Sequence, residues 1–280
     1  MSSELSKQYH SVILRYINQS GETIKEMNTW DDWHLVPTSR PLFAQPSPKT
    51  QYIEIPGADG SIDLTESLTP YPVYKNRTGS LEFIVMNGYE SWDVKLSMIN
   101  NFLHGKKMRA ILEDDAGYYY EGRFNVNNWK SNNNGTWSNI TIDYNVAPYK
   151  TSLLSTVDDW LWDPFSFETG IIYPSYFKSI AVDGTNTWDY INLFTGLLST
   201  TIGNKPVVPK VIVSGLPSGC SLQLRAYDAH KGAWGTTYWV NANGTYTNAY
   251  SIMLGPHISR LSLRSNGACV VSLDFNPGSL

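Results

Sequence analysis

The chain is poor in charge and has no long apolar run. Only 16% of its residues are Asp, Glu, Lys or Arg, against about 25% in an average soluble domain. With a net charge of −4, it lacks the clustered cations that a nucleic-acid binder needs to neutralise phosphates. No segment approaches the roughly 18 uninterrupted apolar residues of a membrane helix, and the first residues lack the pattern of a secretory signal. We therefore expect a chain that folds in a cytoplasm and is neither a membrane protein nor a nucleic-acid binder.

Residues and motifs that carry catalysis are also sparse. The five histidines are scattered singly, and no phosphate-binding Gly-rich loop, H-E-x-x-H or G-x-S-x-G motif occurs. The acidic pairs Asp31-Asp32, Asp114-Asp115 and Asp158-Asp159 leave a cell-wall glycosidase open as an alternative, because that reaction needs two carboxylates. Neighbouring side chains of a strand point to opposite faces, however, so turn and cap residues are the favoured interpretation. The sequence predicts no enzyme, no metal site and no cofactor.

Aromatic residues and tight-turn signals, by contrast, are abundant. Trp, Tyr and Phe make up 13% of the chain and supply apolar area for folded cores. Pairs that tolerate the positive φ angles of hairpin turns occur at Asp59-Gly60, Asn87-Gly88, Asn134-Gly135, Asp183-Gly184, Asn243-Gly244 and Asn266-Gly267. Because segments with a period of two lie between these pairs, the chain is predicted to be mainly β.

The first part of the chain is predicted to combine strands with one helix. A period of two over residues 138–146 predicts a half-buried strand whose apolar face is made by Ile140, Ile142, Tyr144 and Val146. Residues 91–105 instead have the spacing of a helix with an apolar stripe of Trp92, Leu96, Ile99 and Leu103. We expect a β-sandwich plus one helix in a first domain at residues 1–150.

The second part, residues 151–280, is predicted to form a β-sandwich domain, with a connector at about 150–170. Its segments alternate again, and turn signals recur at short intervals without a long amphipathic helix. The two cysteines of the chain, Cys220 and Cys269, fall on apolar positions of these segments. They are too few for a disulfide framework, so we expect buried thiols.

An aromatic cluster in the second part is a candidate glycan-contact site. Residues 229–246 place Trp234, Tyr238 and Trp239 near Gly-containing turns. A β-sandwich lectin stacks sugar rings on aromatic faces at such turns. Aromatic residues of sandwiches also fill the core or form subunit interfaces, and that alternative is favoured.

Several separated motifs in the first part occur together in order. Residues 29–33 read Thr-Trp-Asp-Asp-Trp, and residues 52–65 form a strand, a turn and a second strand. The motif residues are Trp30, Trp33, Pro56, Gly57, Asp59 and Gly60. This pattern resembles the N-terminal domain of the distal tail protein of siphophages that infect Gram-positive bacteria. The similarity continues to Asp143-Tyr144 and covers approximately residues 10–150. The turn motif offers no nucleophile, acid-base pair or ligand cluster, so we expect it to determine shape.

The resemblance implies a structural virion protein at the tip of a phage tail, synthesised and assembled in the host bacterial cytoplasm. In this family, N-terminal belt domains form a hexameric ring, and C-terminal galectin-like or carbohydrate-module-like sandwiches face outward. The implied partners are further copies of the chain, the tail-tube protein and the tail-tip hub or tail-associated lysin. A receptor-binding protein is a further implied partner, and DNA only passes through the lumen of the ring.

A second hypothesis assigns the chain a different principal activity. It is a carbohydrate-binding adhesion protein that contacts a host cell-wall glycan through its C-terminal sandwich. This hypothesis requires Trp234, Tyr238 and Trp239 to be exposed on one surface.

Overall fold

The structure, a computed structural model, describes residues 9–69, 71–86, 92–131, 137–158, 177–192, 205–247 and 249–280. The chain divides into two compact units, which are treated separately below. The first comprises residues 1–65, 72–151 and 280, and the second comprises residues 66–71 and 152–279. Most of the predicted connector, and the predicted turns at Asn87-Gly88 and Asn134-Gly135, lie outside the described residues.

The first unit is built from strands and one α-helix among the described residues. These elements are β1 (Val12–Ile17), β2 (Thr23–Asn28), β3 (Leu35–Pro37), β4 (Tyr52–Glu54), β5 (Ser61–Asp63), β6 (Arg77–Met86), α1 (Trp92–Leu103), β7 (Lys107–Leu112), β8 (Tyr118–Ser131), β9 (Trp137–Val146) and β10 (Lys150–Ser152). A 3₁₀ turn at Glu113–Asp115 connects β7 to β8. Seven of the strands follow one another in an antiparallel sheet in the order β2-β1-β7-β8-β9-β6-β3, and β10 also pairs with β8.

Side-chain alternation explains the core of this sheet. The four residues predicted for the buried face of β9 are each at most 5% exposed, and β9 lies in the middle of the sheet between β8 and β6. Helix α1 buries Leu96, Ile99 and Leu103, which lie on one face at the predicted helical spacing. They pack into the same apolar core as the strands.

The second unit contains two antiparallel sheets. Its strands are β11 (Ile180–Val182), β12 (Asp189–Asn192), β13 (Lys210–Ser214), β14 (Leu222–Asp228), β15 (Ala233–Trp234), β16 (Tyr238–Val240), β17 (Gly244–Tyr246), β18 (Ile258–Ser265), β19 (Cys269–Asp274) and β20 (Gly278–Ser279). One sheet has the order β11-β19-β13-β17, and the other has the order β12-β18-β14-β15, with β16 also paired to β14.

Both sheets of the second unit contribute to one apolar core. Leu222 and Leu224 come from one sheet, and Val271 and Leu273 come from the other; none of the four has measurable exposure. A mainly β fold is therefore confirmed. Cys269 is buried as predicted, whereas Cys220 is half-buried, and both thiols are free.

Candidate interaction surfaces

Strands β4 and β5 form a separate two-stranded hairpin in the first unit. Ile53 lies directly opposite Ile62 in the register, and Ile55 follows two residues after Ile53 on the same face. These three isoleucines, called the isoleucine face below, are each 45–48% exposed. No other described strand pairs with the hairpin, and about half of each isoleucine side chain is open to solvent.

The motif residues of the hairpin define its turn and its base. Gly57 and Gly60 have φ angles of 83° and 78°, in the left-handed region that glycine adopts without strain. Pro56, Gly57, Asp59 and Gly60 are all exposed. At the base, the Thr65 amide donates a 2.8 Å hydrogen bond to the Asp63 carboxylate, and hydrogen bonds from Thr65 lower the pKa of Asp63. These residues lie in the turn and at the base of the hairpin, and a role in determining its shape stays a prediction.

The two motif tryptophans have structural positions in a tight turn after β2. Trp33 is buried, and its ring meets the edge of Phe102 from α1 at 5.6 Å between centroids. Trp30 is half-buried against Tyr9, with centroids 4.1 Å apart. The side chain of Asn28 fixes the turn by accepting a 2.8 Å hydrogen bond from the Trp30 amide.

The predicted aromatic site of the second unit is divided between two faces of one sheet. Trp234 pairs with Tyr227, and Trp239 pairs with Gln223; these partners alternate along β14 with core residues, so both tryptophans point away from the core. Trp239 is 56% exposed, and Trp234 is half-buried. Tyr238 points the other way and packs against the core. The structure thus brings Trp234 and Trp239, but not Tyr238, to the outer face. The stated requirement that all three aromatic residues be exposed on one surface is therefore not met, because Tyr238 packs against the core and Trp234 is half-buried.

Arginines and aromatic rings alternate across this outer face. The Arg225 guanidinium lies 3.8 Å from the centroid of Trp188 and 4.2 Å from that of Trp234. The Arg264 guanidinium lies 4.5 Å from the ring centroid of the same Trp188. At the opposite end, Arg260 lies 5.7 Å from Tyr227. The outer face is defined here by Trp188, Tyr190, Gln223, Arg225, Tyr227, Trp234, Trp239, Arg260, Ser262 and Arg264.

Most of this outer face was not predicted from the sequence. Arg225 in β14 and Arg260 and Arg264 in β18 alternate with buried leucines. This period of two could have predicted that the three arginines point away from the core. The register that places Tyr190 opposite Ser262 and Arg225 opposite the same serine is a long-range feature. A single sequence does not specify which strands become neighbours.

Other kinds of site were sought in the described part of the chain. Among those residues, no group of three or more His, Cys, Asp or Glu side chains is placed to hold a metal ion. No helix there is both long and apolar enough to cross a membrane. Asp114, from one of the predicted acidic pairs, is held by His10 at 2.9 Å and Arg40 at 2.6 Å. It belongs to a structural ion cluster at the turn after β7.

Comparison with known proteins shows the fold. The chain is similar to the solved structure of SPP1 Dit (gp 19.1), described as a paradigm of the hub adsorption apparatus in phages that infect Gram-positive bacteria. The match has a TM-score of 0.54 and 12% sequence identity, and it covers 95% of this chain and 98% of that one. Structures of infectious bursal disease virus VP2 particles and of its Gx strain give TM-scores of 0.19, too low to carry an argument. No protein-family model and no curated protein sequence matches. The expected resemblance to distal tail proteins is confirmed at the level of the fold.

Proposed function

We propose that the chain is a structural protein of a phage tail tip and that its first unit assembles into a hexameric ring. The fold similarity to SPP1 Dit supports this class of function. The observation that carries ring formation is the unpartnered isoleucine face of the β4–β5 hairpin. The protein would then act through assembly, without catalysing a reaction.

The isoleucine face has the properties of one half of a subunit contact. A two-stranded hairpin is at best marginally stable alone in water, and three exposed isoleucines gain free energy when a neighbour covers them. A closed ring needs two different complementary patches on each subunit. In the proposed ring, the isoleucine face of one subunit packs on a different patch of the next.

The proposed ring has partners on both sides. It would join the tail-tube protein to the tail-tip hub or tail-associated lysin, and it would offer attachment to a receptor-binding protein. Its lumen would let DNA pass without retaining it, because a weakly charged, mildly acidic chain does not attract phosphates. The protein would reside in the virion after assembly in the host cytoplasm.

Light scattering of the purified chain tests the ring. We expect a concentration-dependent species near six times 31.5 kDa and ring-shaped particles in negative stain. Replacing Ile53 and Ile62 together by Asp should abolish this species, because two carboxylates would have to be desolvated at the contact. The matched control is Tyr250→Asp, at a residue of the second unit that is 74% exposed. A double variant that still assembles would exclude the hairpin as the contact, and a strict monomer at all concentrations would contradict the ring.

We further propose that the second unit binds glycans through its outer face. Trp239 is the observation that favours this role, since its ring is exposed beside a sheet face rich in aromatic residues. Stacking of a sugar ring on such a surface is the usual mode of carbohydrate recognition by aromatic residues. The candidate ligand is a cell-wall glycan of the host. Calorimetric titration with soluble cell-wall fragments, compared between the natural chain and Trp239→Ala, tests this role.

A further inference from the structure

The outer face of the second unit carries positive charge that the described residues do not neutralise. Arg225, Arg260 and Arg264 all point outward from neighbouring strands. None of the three forms an ion pair with a described carboxylate, although ion pairs occur elsewhere in the chain, such as Lys210 with Asp274. The described side chains that define this face include no Asp or Glu. In a chain with a net charge of −4, three uncompensated cations on one face are a distinct feature.

Aromatic stacking holds the central guanidinium in place. The guanidinium carbon of Arg225 lies within 4.2 Å of the ring centroids of both Trp188 and Trp234, so the two aromatic rings hold this cation through cation–π contacts. Arg225 forms no hydrogen bond with a described residue, and its Nε atom is buried without a partner. A guanidinium fixed in this way loses little conformational entropy when it binds an anion, because its position is set beforehand.

Arg264, on the neighbouring strand, is also held in place, but by a hydrogen bond as well as by an aromatic ring. A nitrogen of the Arg264 guanidinium donates a 2.6 Å hydrogen bond to the side-chain oxygen of Gln223, and the group also lies over Trp188. Because the pairing partners of β14 and β18 place Gln223 opposite Arg264 and Arg225 opposite Ser262, the two guanidinium groups lie on adjacent strands around the same tryptophan. Together they form a preorganised pair of forked donors.

We propose that this outer face binds an anionic glycan, a carbohydrate chain that carries phosphate or carboxylate groups. Arg225 and Arg264 bind the acidic groups, since a guanidinium matches phosphate and carboxylate oxygens in forked geometry. The exposed rings of Tyr190 and Trp239 provide stacking surfaces for the sugars beside them. This inference rests on the glycan-binding role proposed above and adds the charge class of the ligand.

The composition of the outer face favours a glycan over an acidic protein. The outward positions in the described strands of this sheet are Trp, Tyr, Arg, Gln, Ser and Asn, with no aliphatic residue that could form the apolar centre of a protein contact. Aromatic platforms with hydrogen-bonding groups suit a ligand made of flat rings and hydroxyls. An acidic polypeptide is therefore the competing ligand to include in the test.

The test is calorimetric titration of the full chain with three polymers. These are phosphorylated dextran, unmodified dextran and a polyglutamate of equal charge. We expect phosphorylated dextran to bind, with an affinity that falls as salt is added. Unmodified dextran and polyglutamate should bind at least about tenfold more weakly, which is the effect of losing one charged hydrogen bond. Arg225→Gln should weaken binding of phosphorylated dextran by a similar factor. Trp239→Ala should also weaken binding of phosphorylated dextran. Trp239 is more exposed than Arg225, so this substitution should not disturb the aromatic contacts of Arg225.

The matched control is Lys210→Gln, which removes a cation from the other sheet of the same unit and should leave binding unchanged. Equal binding of neutral and phosphorylated dextran would overturn the anionic ligand while leaving the glycan role intact. If neither dextran bound, both the anionic ligand and the glycan-binding role would be overturned. Equal or tighter binding of polyglutamate would overturn the glycan in favour of an acidic protein surface. These binding measurements do not depend on the proposed ring formation by the first unit.

Discussion

Gly122 of β8 lies opposite Val146 of β9 and close to its backbone. A Cβ atom at this position would be 2.2 Å from the backbone oxygen of Asn145 and 2.5 Å from the Cα atom of Val146. Backbone in the middle of a sheet cannot move aside cheaply, so Gly122→Ala should destabilise the first unit by about 3 kcal/mol. The control is Gly117→Ala, whose Cβ would meet nothing within 4 Å. Urea unfolding of both variants checks the difference, and equal stabilities would contradict it.

Asp114 should make the stability of the first unit depend on pH in the acid range. Burial tends to raise the pKa of this carboxyl, but hydrogen bonds and charge from His10 and Arg40 outweigh it and hold the pKa below its usual value. Because the folded-state pKa is lowered, the stabilisation is full above the ordinary Asp pKa and is lost as the pH falls through the lowered one.

Asp114→Asn provides the measurement. Unfolding free energies at a series of pH values should show the natural chain more stable near neutral pH by less than about 1 kcal/mol, the range for partly exposed ion pairs. The difference should narrow as the pH approaches 3. A difference that stays constant across this range would assign the effect to packing instead of charge.

Local periodicity made the individual elements predictable. The alternation of Ile140, Ile142 and Tyr144 gave the buried face of β9, and the helical spacing of Leu96 and Ile99 gave the face of α1. Strand pairing was not predictable in this way, because it depends on contacts between distant segments. Therefore the outer face of the second unit, where β12, β14 and β18 meet, was found only in the structure.

The β4–β5 hairpin should be dispensable for folding but needed for assembly. Its isoleucine face stays exposed, and none of the hairpin residues belongs to the apolar core. Replacing residues 53–62 by a short Gly/Ser linker should therefore leave the thermal midpoint of the first unit within about 2 °C, since little buried area is lost. The hexameric species should disappear in light scattering.

A matched linker of the same length at residues 230–232 provides the control. This turn in the second unit is exposed, and its replacement should leave assembly intact. A large fall in the thermal midpoint of the hairpin variant would mean that the hairpin supports the fold, in which case the loss of the ring would not identify a contact.

The described residues of the two units form separate apolar cores, and this predicts how the molecule should unfold. Phe124 belongs to the core of the first unit and Leu263 to that of the second, and each is at most 1% exposed. Truncating a buried side chain of this size to Ala costs about 2–5 kcal/mol through lost burial and the cavity left behind. Since each core is confined to one unit, each substitution should lower the stability of one unit alone.

Differential scanning calorimetry should therefore resolve two transitions. Phe124→Ala should lower one of them by about 5 °C or more and leave the other in place, and Leu263→Ala should do the reverse. The double variant should show both shifts with simple additivity, because residues in separate cores share no partners. If either single variant moved both transitions equally, the chain would unfold as one cooperative body, and the proposed division of ring formation and glycan binding between the two units would lose its energetic basis.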